Sequence, residues 1–116
     1  MKRQDIFDKV YKHVLEQDAK SLAKNGSCLY KSIDGSQCAI GCLIDDKNYN
    51  IDLEHRGITS SLVMNAVKNS NKGIRLNGVT MCMLERLQCI HDDSNLEAWE
   101  GLLRALAKNY NLKIPA

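Results

Sequence analysis

One proline, one phenylalanine and one tryptophan occur in 116 residues, and no apolar run approaches the length of a membrane-spanning helix. The near absence of proline, together with an apolar share of 44%, excludes a disordered linker and supplies enough side chains for a core. Neither sign of charge dominates. Sixteen Lys and Arg against fourteen Asp and Glu leave a net charge of +2, which removes the general case for nucleic-acid binding. A basic stripe would need Lys2, Arg3, Lys9, Lys12, Lys20 and Lys24 together, and Asp5, Asp8, Glu16 and Asp18 interrupt it. Met1-Lys2-Arg3-Gln4-Asp5 leads directly into an amphipathic pattern, with no signal-peptide core, so a cytoplasmic location without a membrane anchor is expected. No Cys-x-x-Cys pair supports thioredoxin-like chemistry, and five cysteines, an odd number, read as reduced thiols rather than a disulfide framework. A phosphate-cradling G-x-x-x-x-G-K-[ST] loop and a G-x-S-x-G elbow are also absent. No catalytic residue and no cofactor is assigned on this basis.

What is present is helical periodicity. Ile6, Phe7, Val10, Val14 and Leu15 mark a first helix, expected to continue towards Leu22 until Asn25-Gly26 stops it. Residues 27–32 suit a short strand and Asp34-Gly35 a turn. Residues 37–43 are ambiguous between a return strand and a helix, and the helix is favoured. A polar connection over residues 45–50 carries one aromatic, Tyr49. Ser60 or Ser61 then caps a helix with Leu62, Val63, Ala66 and Val67 inside. Thr80 is the expected cap of the next, running through Met81, Leu84, Leu87 and Ile90. Ser94-Asn95-Leu96-Glu97 fits a capping box for the last helix, whose stripe is Leu96, Trp99, Leu103, Leu106 and Tyr110. The reading is a mainly α, compact small domain over residues 1–116, with room for one short β-hairpin.

The run Cys38-Ala39-Ile40-Gly41-Cys42-Leu43-Ile44 places two thiols four residues apart with a glycine between them. On a helix, Cys38 and Cys42 would share a face and Gly41 would admit a close neighbour. Zinc would require Cys28, Cys38, Cys42 and either Cys89 or His91 to be gathered by the fold. Core thiols explain the pattern with fewer requirements, so no metal is assigned. Cys82 and Cys89 read as core residues on one helix face for the same reason.

His91-Asp92-Asp93 has the composition of a histidine oriented by a carboxylate, which suits general-base or ligand chemistry. The simpler reading has His91 closing one helix while Asp92, Asp93 and Ser94 form the polar turn before the next. The pairs Asp45/Asp46 and Asp92/Asp93 fit turn and cap chemistry better than two-metal catalysis. His13 fits a surface or interface position on the first helix. Glu54, His55 and Arg56 read as a solvated connection in which Arg56 could meet a phosphate or carboxylate.

Tyr30, the segment from Gly35 through Ile44, and Leu87-Gln88-x-Ile90-His91-Asp92 followed by Trp99 and Leu103 resemble a family of small accessory proteins of tailed bacteriophages and prophages. The resemblance runs from about Arg3 to Leu112. More distant bacterial proteins carry a similar Cys-Ala-x-Gly-Ala-Leu run, with alanine where Cys42 stands. This implies that Cys42 need not ligate a metal and that Cys38, Gly41, Cys42 and Trp99 form a structural motif. It further implies a noncatalytic protein, inside an infected or lysogenic bacterium, that binds and modulates a host or host-defence protein. Tyr49, His55, Arg56, His91, Asp92 and Asp93 are the candidate contacts, because aromatic and arginine anchors carry interface energy. The alternative is sequestration of a small anionic or nucleotide-like ligand by Arg56, Lys72 and Arg75, with a pocket that a homodimer could complete.

Overall fold

The computed structural model describes residues 1–115, so Ala116 of the expected 1–116 domain lies outside the described residues. The chain is mainly α-helical: α1 (Arg3–Gln17), α2 (Ser61–Ser70), α3 (Gly78–Asp93) and α4 (Leu96–Asn109), with single 3-10 turns at Gly41–Leu43 and Ile51–Leu53. No helix among the described residues is long and apolar enough to cross a membrane. Three helices form around the core: Ile6, Phe7 and Val10 of α1 meet Met83, Leu84 and Leu87 of α3 and Trp99 and Leu103 of α4. α3 and α4 make a helical hairpin with only Ser94 and Asn95 between them.

Helix boundaries depart from expectation where polar side chains take over the backbone. α1 stops at Gln17 rather than near Leu22, because Asp18 turns left-handed (φ 49°) and donates its N–H to the Val14 carbonyl at 3.0 Å. α3 begins at Gly78, ahead of Thr80, since the Asn77 side chain accepts the Thr80 N–H at 3.0 Å. The Ser94/Glu97 capping box does not form: α3 runs on to Asp93, Ser94 becomes its C-cap, and Asn95 is the N-cap of α4. Leu96 consequently stays exposed instead of joining the core.

The expected hairpin is reduced to isolated antiparallel bridges, Leu22 with Cys28 and Lys31 with Gln37, and the described residues contain no β-sheet. Asp34-Gly35 does turn the chain, with Gly35 at φ +90°. Further pairing is blocked because side chains claim the strand edges. Gln17 accepts the Gln37 N–H at 2.8 Å, while Gln17 and His13 both donate to the Gln37 carbonyl at 2.9 Å. A carbonyl only accepts, so His13 Nε2 carries a proton in that contact.

The expected helix over residues 37–43 is likewise corrected. Cys38 is still extended, donating to the Tyr30 carbonyl at 3.2 Å, and only one 3-10 turn follows before Ile44 becomes extended again. Buried backbone outside regular structure must find its partners elsewhere. Gln88 of α3 accepts the Ile40 N–H at 3.0 Å, Asn71 at the end of α2 donates to the Leu43 carbonyl at 2.6 Å, and Cys38 Sγ accepts the Gly41 N–H at 3.2 Å. Cys42 Sγ donates to the Ala39 carbonyl at 3.0 Å. Both thiols are therefore backbone partners of the turn, and burial pushes each up to about 12.

Gly41 sits directly on the Tyr30 peptide, and a Cβ there would lie 1.9 Å from the Tyr30 oxygen. Gly41→Ala must displace backbone on both sides of that contact, and the expected loss of stability is about 3 kcal/mol. Urea unfolding followed by the Trp99 signal measures it; a loss within error of zero contradicts this packing.

Candidate functional site

A cleft of about 330 Å³ opens between the outer side of α3 and two irregular segments, residues 28–30 and 54–58. His55, Arg56, Asp92 and Asp93 all border it, although 35 residues lie between the two groups in sequence. Glu54 holds the cleft together from below. Far from belonging to a solvated connection, it is buried at 7% exposure. Its carboxylate accepts the N–H groups of Tyr30 at 2.8 Å and Lys31 at 3.1 Å and the Tyr49 hydroxyl at 2.6 Å. The Tyr30 hydroxyl donates in turn to the Arg56 carbonyl. Burial first, and the neighbouring Glu54 second in Tyr49, raise both phenols above their ordinary value, so they remain donors.

The 54–58 lip is also fixed from within. Asn50 accepts the Asp52 N–H at 2.8 Å, the Arg56 Nε donates to the Asp52 carbonyl at 2.6 Å, and His55 is left-handed at φ 64°. Tyr49 lies behind this lip as a support for Glu54, with the Lys31 ammonium 5.9 Å from its ring.

The α3 wall is built on a buried pair. His91 is 2% exposed, stacked on Trp99 with ring centroids 4.8 Å apart, and so does not face solvent as an interaction residue would. Neither His91 Nε2 nor Trp99 Nε1 has a hydrogen-bond partner in the protein. His91 Nδ1 lies 3.0 Å from Asp92 Oδ1, and Gln88 Nε2 donates to Asp92 Oδ2 at 2.7 Å. Lys20 caps the same turn by donating to the Asp92 carbonyl at 2.9 Å. Burial pushes the Asp92 carboxyl up, but the hydrogen bonds from His91 and Gln88 and the attraction of His91 outweigh it, leaving it below the usual carboxylate range. Gln88 thus joins the cleft wall to the buried turn at Ile40.

The cleft is acidic and partly apolar. Glu54, Glu85, Asp92 and Asp93 face Arg56 and His55, and Leu29, Ile58 and the thiols of Cys28 and Cys89 supply the rest. Burial, then Asp92, raises Cys28, which keeps that thiol protonated, the opposite of an activated nucleophile. The described residues contain no group of three or more His, Cys, Asp or Glu side chains placed to hold a metal. Cys82 and Cys89, expected inside, are both exposed on α3.

The three cations considered for an anionic ligand are not gathered. Arg56 borders the acidic cleft, Lys72 borders neither groove, and Arg75 lies in a separate groove of about 500 Å³ with Lys2 and Arg3. Glu54, Glu85 and Gln88, all of which border the cleft, carry no site role in the sequence reading. Gln88 had a signal, one helical turn before Asp92; the burial of Glu54 had none, since the two backbone N–H groups it accepts lie more than twenty residues away.

No family model, curated protein or solved structure matches the chain.

Asp92 has a folded-state pKa below its unfolded one, so its contribution to stability is complete above the unfolded carboxylate value and is lost as pH falls through the folded value. Asp92→Asn is expected to be less stable near neutrality and to lack that part of the acid slope. Urea midpoints measured over a pH series test this; parallel profiles for the two proteins contradict it.

Proposed function

We propose that this chain is a bacteriophage-encoded accessory protein that binds and modulates a host or host-defence protein without catalysis, acting in the cytoplasm of the bacterial host. The observation that carries the reading is the acidic, partly apolar cleft bordered by His55, Arg56, Asp92 and Asp93. Carboxylates outnumber cations on its walls, and Leu29 and Ile58 offer apolar contact, so the complementary ligand is a protein segment bearing Lys or Arg beside an apolar side chain. The resemblance carried by the Cys38–Ile44 run and the Leu87–Asp92 run supports the biological setting. A cleft whose Cys28 thiol is held protonated suits docking better than chemistry at that thiol.

Gly57 gives a direct test. An added Cβ there meets nothing closer than Thr59 Oγ1 at 4.0 Å, so Gly57→Trp fills the cleft mouth without disturbing the core. Wild-type protein immobilised in host lysate is expected to retain a specific partner, with recovery falling at higher salt. Gly57→Trp should retain at least about tenfold less of it at unchanged melting temperature. Equal recovery by the two proteins contradicts the reading.

A specific observation also favours the anionic-ligand alternative at a different place. The groove bordered by Lys2, Arg3 and Arg75 has no Asp or Glu on its walls, and Asn77 and Thr80 place the start of α3 beside it. Inorganic triphosphate or ATP is expected to raise the melting temperature of the wild type and not of Arg75→Glu. No shift with either compound removes this reading.

A further inference from the structure

The groove bordered by Lys2, Arg3 and Arg75 lies between the first turn of α1, the start of α3 and the turn that follows α4. None of its three cations enters an ion pair among the described residues, whereas Lys31 meets Asp46 and Arg104 meets Glu100. Asp5, in the first turn of α1, accepts the Lys2 N–H at 2.9 Å and is not on the groove wall. The start of α3 adds donors. Asn77 accepts the Thr80 N–H, but no group among the described residues accepts the N–H of Gly78 or Val79, and a Cβ at Gly78 would meet nothing within 4 Å. A helix that opens in this way favours an anion.

Thr80 points to a ligand on separate grounds. It is 2% exposed, its hydroxyl makes no hydrogen bond among the described residues, and it forms part of the groove wall. A buried hydroxyl without a partner is unfavourable, and an acceptor oxygen entering the groove supplies one. The opposite wall is apolar and aromatic. Tyr110, Asn111 and Leu112 turn along the groove after α4, with Asn111 left-handed at φ 55° and Leu112 donating its N–H to the Ala107 carbonyl at 2.8 Å. The next residue, Lys113, exchanges two backbone hydrogen bonds of 2.8 Å with the Gln4 side chain of α1, so this wall is fixed before any ligand arrives. The Arg86 guanidinium, 5.8 Å from the Tyr110 ring, borders a different groove, between α3 and α4.

Resting on the anionic-ligand reading of this groove, we propose that its ligand is a free nucleotide, with the phosphates on Lys2, Arg3, Arg75 and the Thr80 hydroxyl and the base on Tyr110. The groove volume of about 500 Å³ suits a ligand of that size. A bare polyphosphate would engage the cations and leave Tyr110 and Leu112 uncovered, whereas a base stacks on an aromatic ring whatever its sequence identity.

Isothermal titration of the full chain with ATP and with methyl triphosphate, which has the same phosphate chain and no nucleoside, tests this. ATP is expected to bind the wild type at least about tenfold more tightly, the gain from one stacked base. Tyr110→Ala should remove that gain and leave the affinity for methyl triphosphate unchanged, while Tyr110→Phe should keep it. Thr80→Val should weaken both ligands about fivefold, the effect of one hydrogen bond, at unchanged helical content by circular dichroism. Equal affinity of the wild type for the two ligands, or a Tyr110→Ala variant that either keeps the advantage of ATP or weakens both ligands alike, overturns the nucleotide while the anionic-ligand reading stands. Thr80→Val protein that binds both as the wild type does overturns the hydroxyl contact, and binding of neither ligand overturns both the nucleotide and the reading beneath it.

Discussion

The structure depends on burying a stretch of irregular backbone, residues 38–44, in the middle of a helical domain. A helix or a sheet satisfies its own polar groups; this segment cannot, and an unpaired buried amide or carbonyl is costly. The surrounding elements therefore supply its partners one at a time. Gln17 holds the approach at Gln37, Gln88 receives Ile40, Asn71 closes on Leu43, and the Cys38 thiol receives Gly41. Each helix that contributes an apolar face to the core, α4 apart, also sends or ends in a polar side chain directed at this loop. The close contact between Gly41 and the Tyr30 carbonyl fixes where the loop crosses residues 28–31.

The same construction builds the cleft. Tyr30, pressed against Gly41 on one side, donates its N–H to Glu54 and its hydroxyl to the Arg56 carbonyl on the other. Gln88 bonds to the Ile40 amide at one end and to Asp92 at the other. The two walls of the cleft are thus attached to consecutive residues, Ile40 and Gly41, of one buried turn. His91 completes the α3 wall from inside by stacking on Trp99, which places Asp92 on the rim while its own ring stays in the core.

Much of the helical framework was legible because apolar spacing records burial directly: Trp99, Leu103 and Leu106 on α4, Val63 and Val67 on α2, and Ile6, Phe7 and Val10 on α1 are all buried as their periodicity implies. The ends were less legible, since Asn77, Asp18 and Ser94 compete with neighbouring residues for the same capping role and local chemistry does not choose among them. Residues 37–43 misled for a different reason. A short apolar run gives burial without period, and the choice between helix and turn was made by distant partners, Tyr30 and Gln88. At the cleft, His55, Arg56, Asp92 and Asp93 stood out individually as polar residues in suggestive company. Their meeting, and the burial of Glu54 and His91 beneath them, follow from tertiary pairing that no local pattern encodes.

The clamp on the 54–58 lip also bears on the cost of recognition. Its backbone is held by the Tyr30 hydroxyl, the Asn50 cap and the buried Glu54 carboxylate, so the lip has already surrendered the chain entropy that a loose loop forfeits when a ligand orders it. A partner meets a preformed surface, and the free energy of its contacts goes into affinity rather than into ordering the loop.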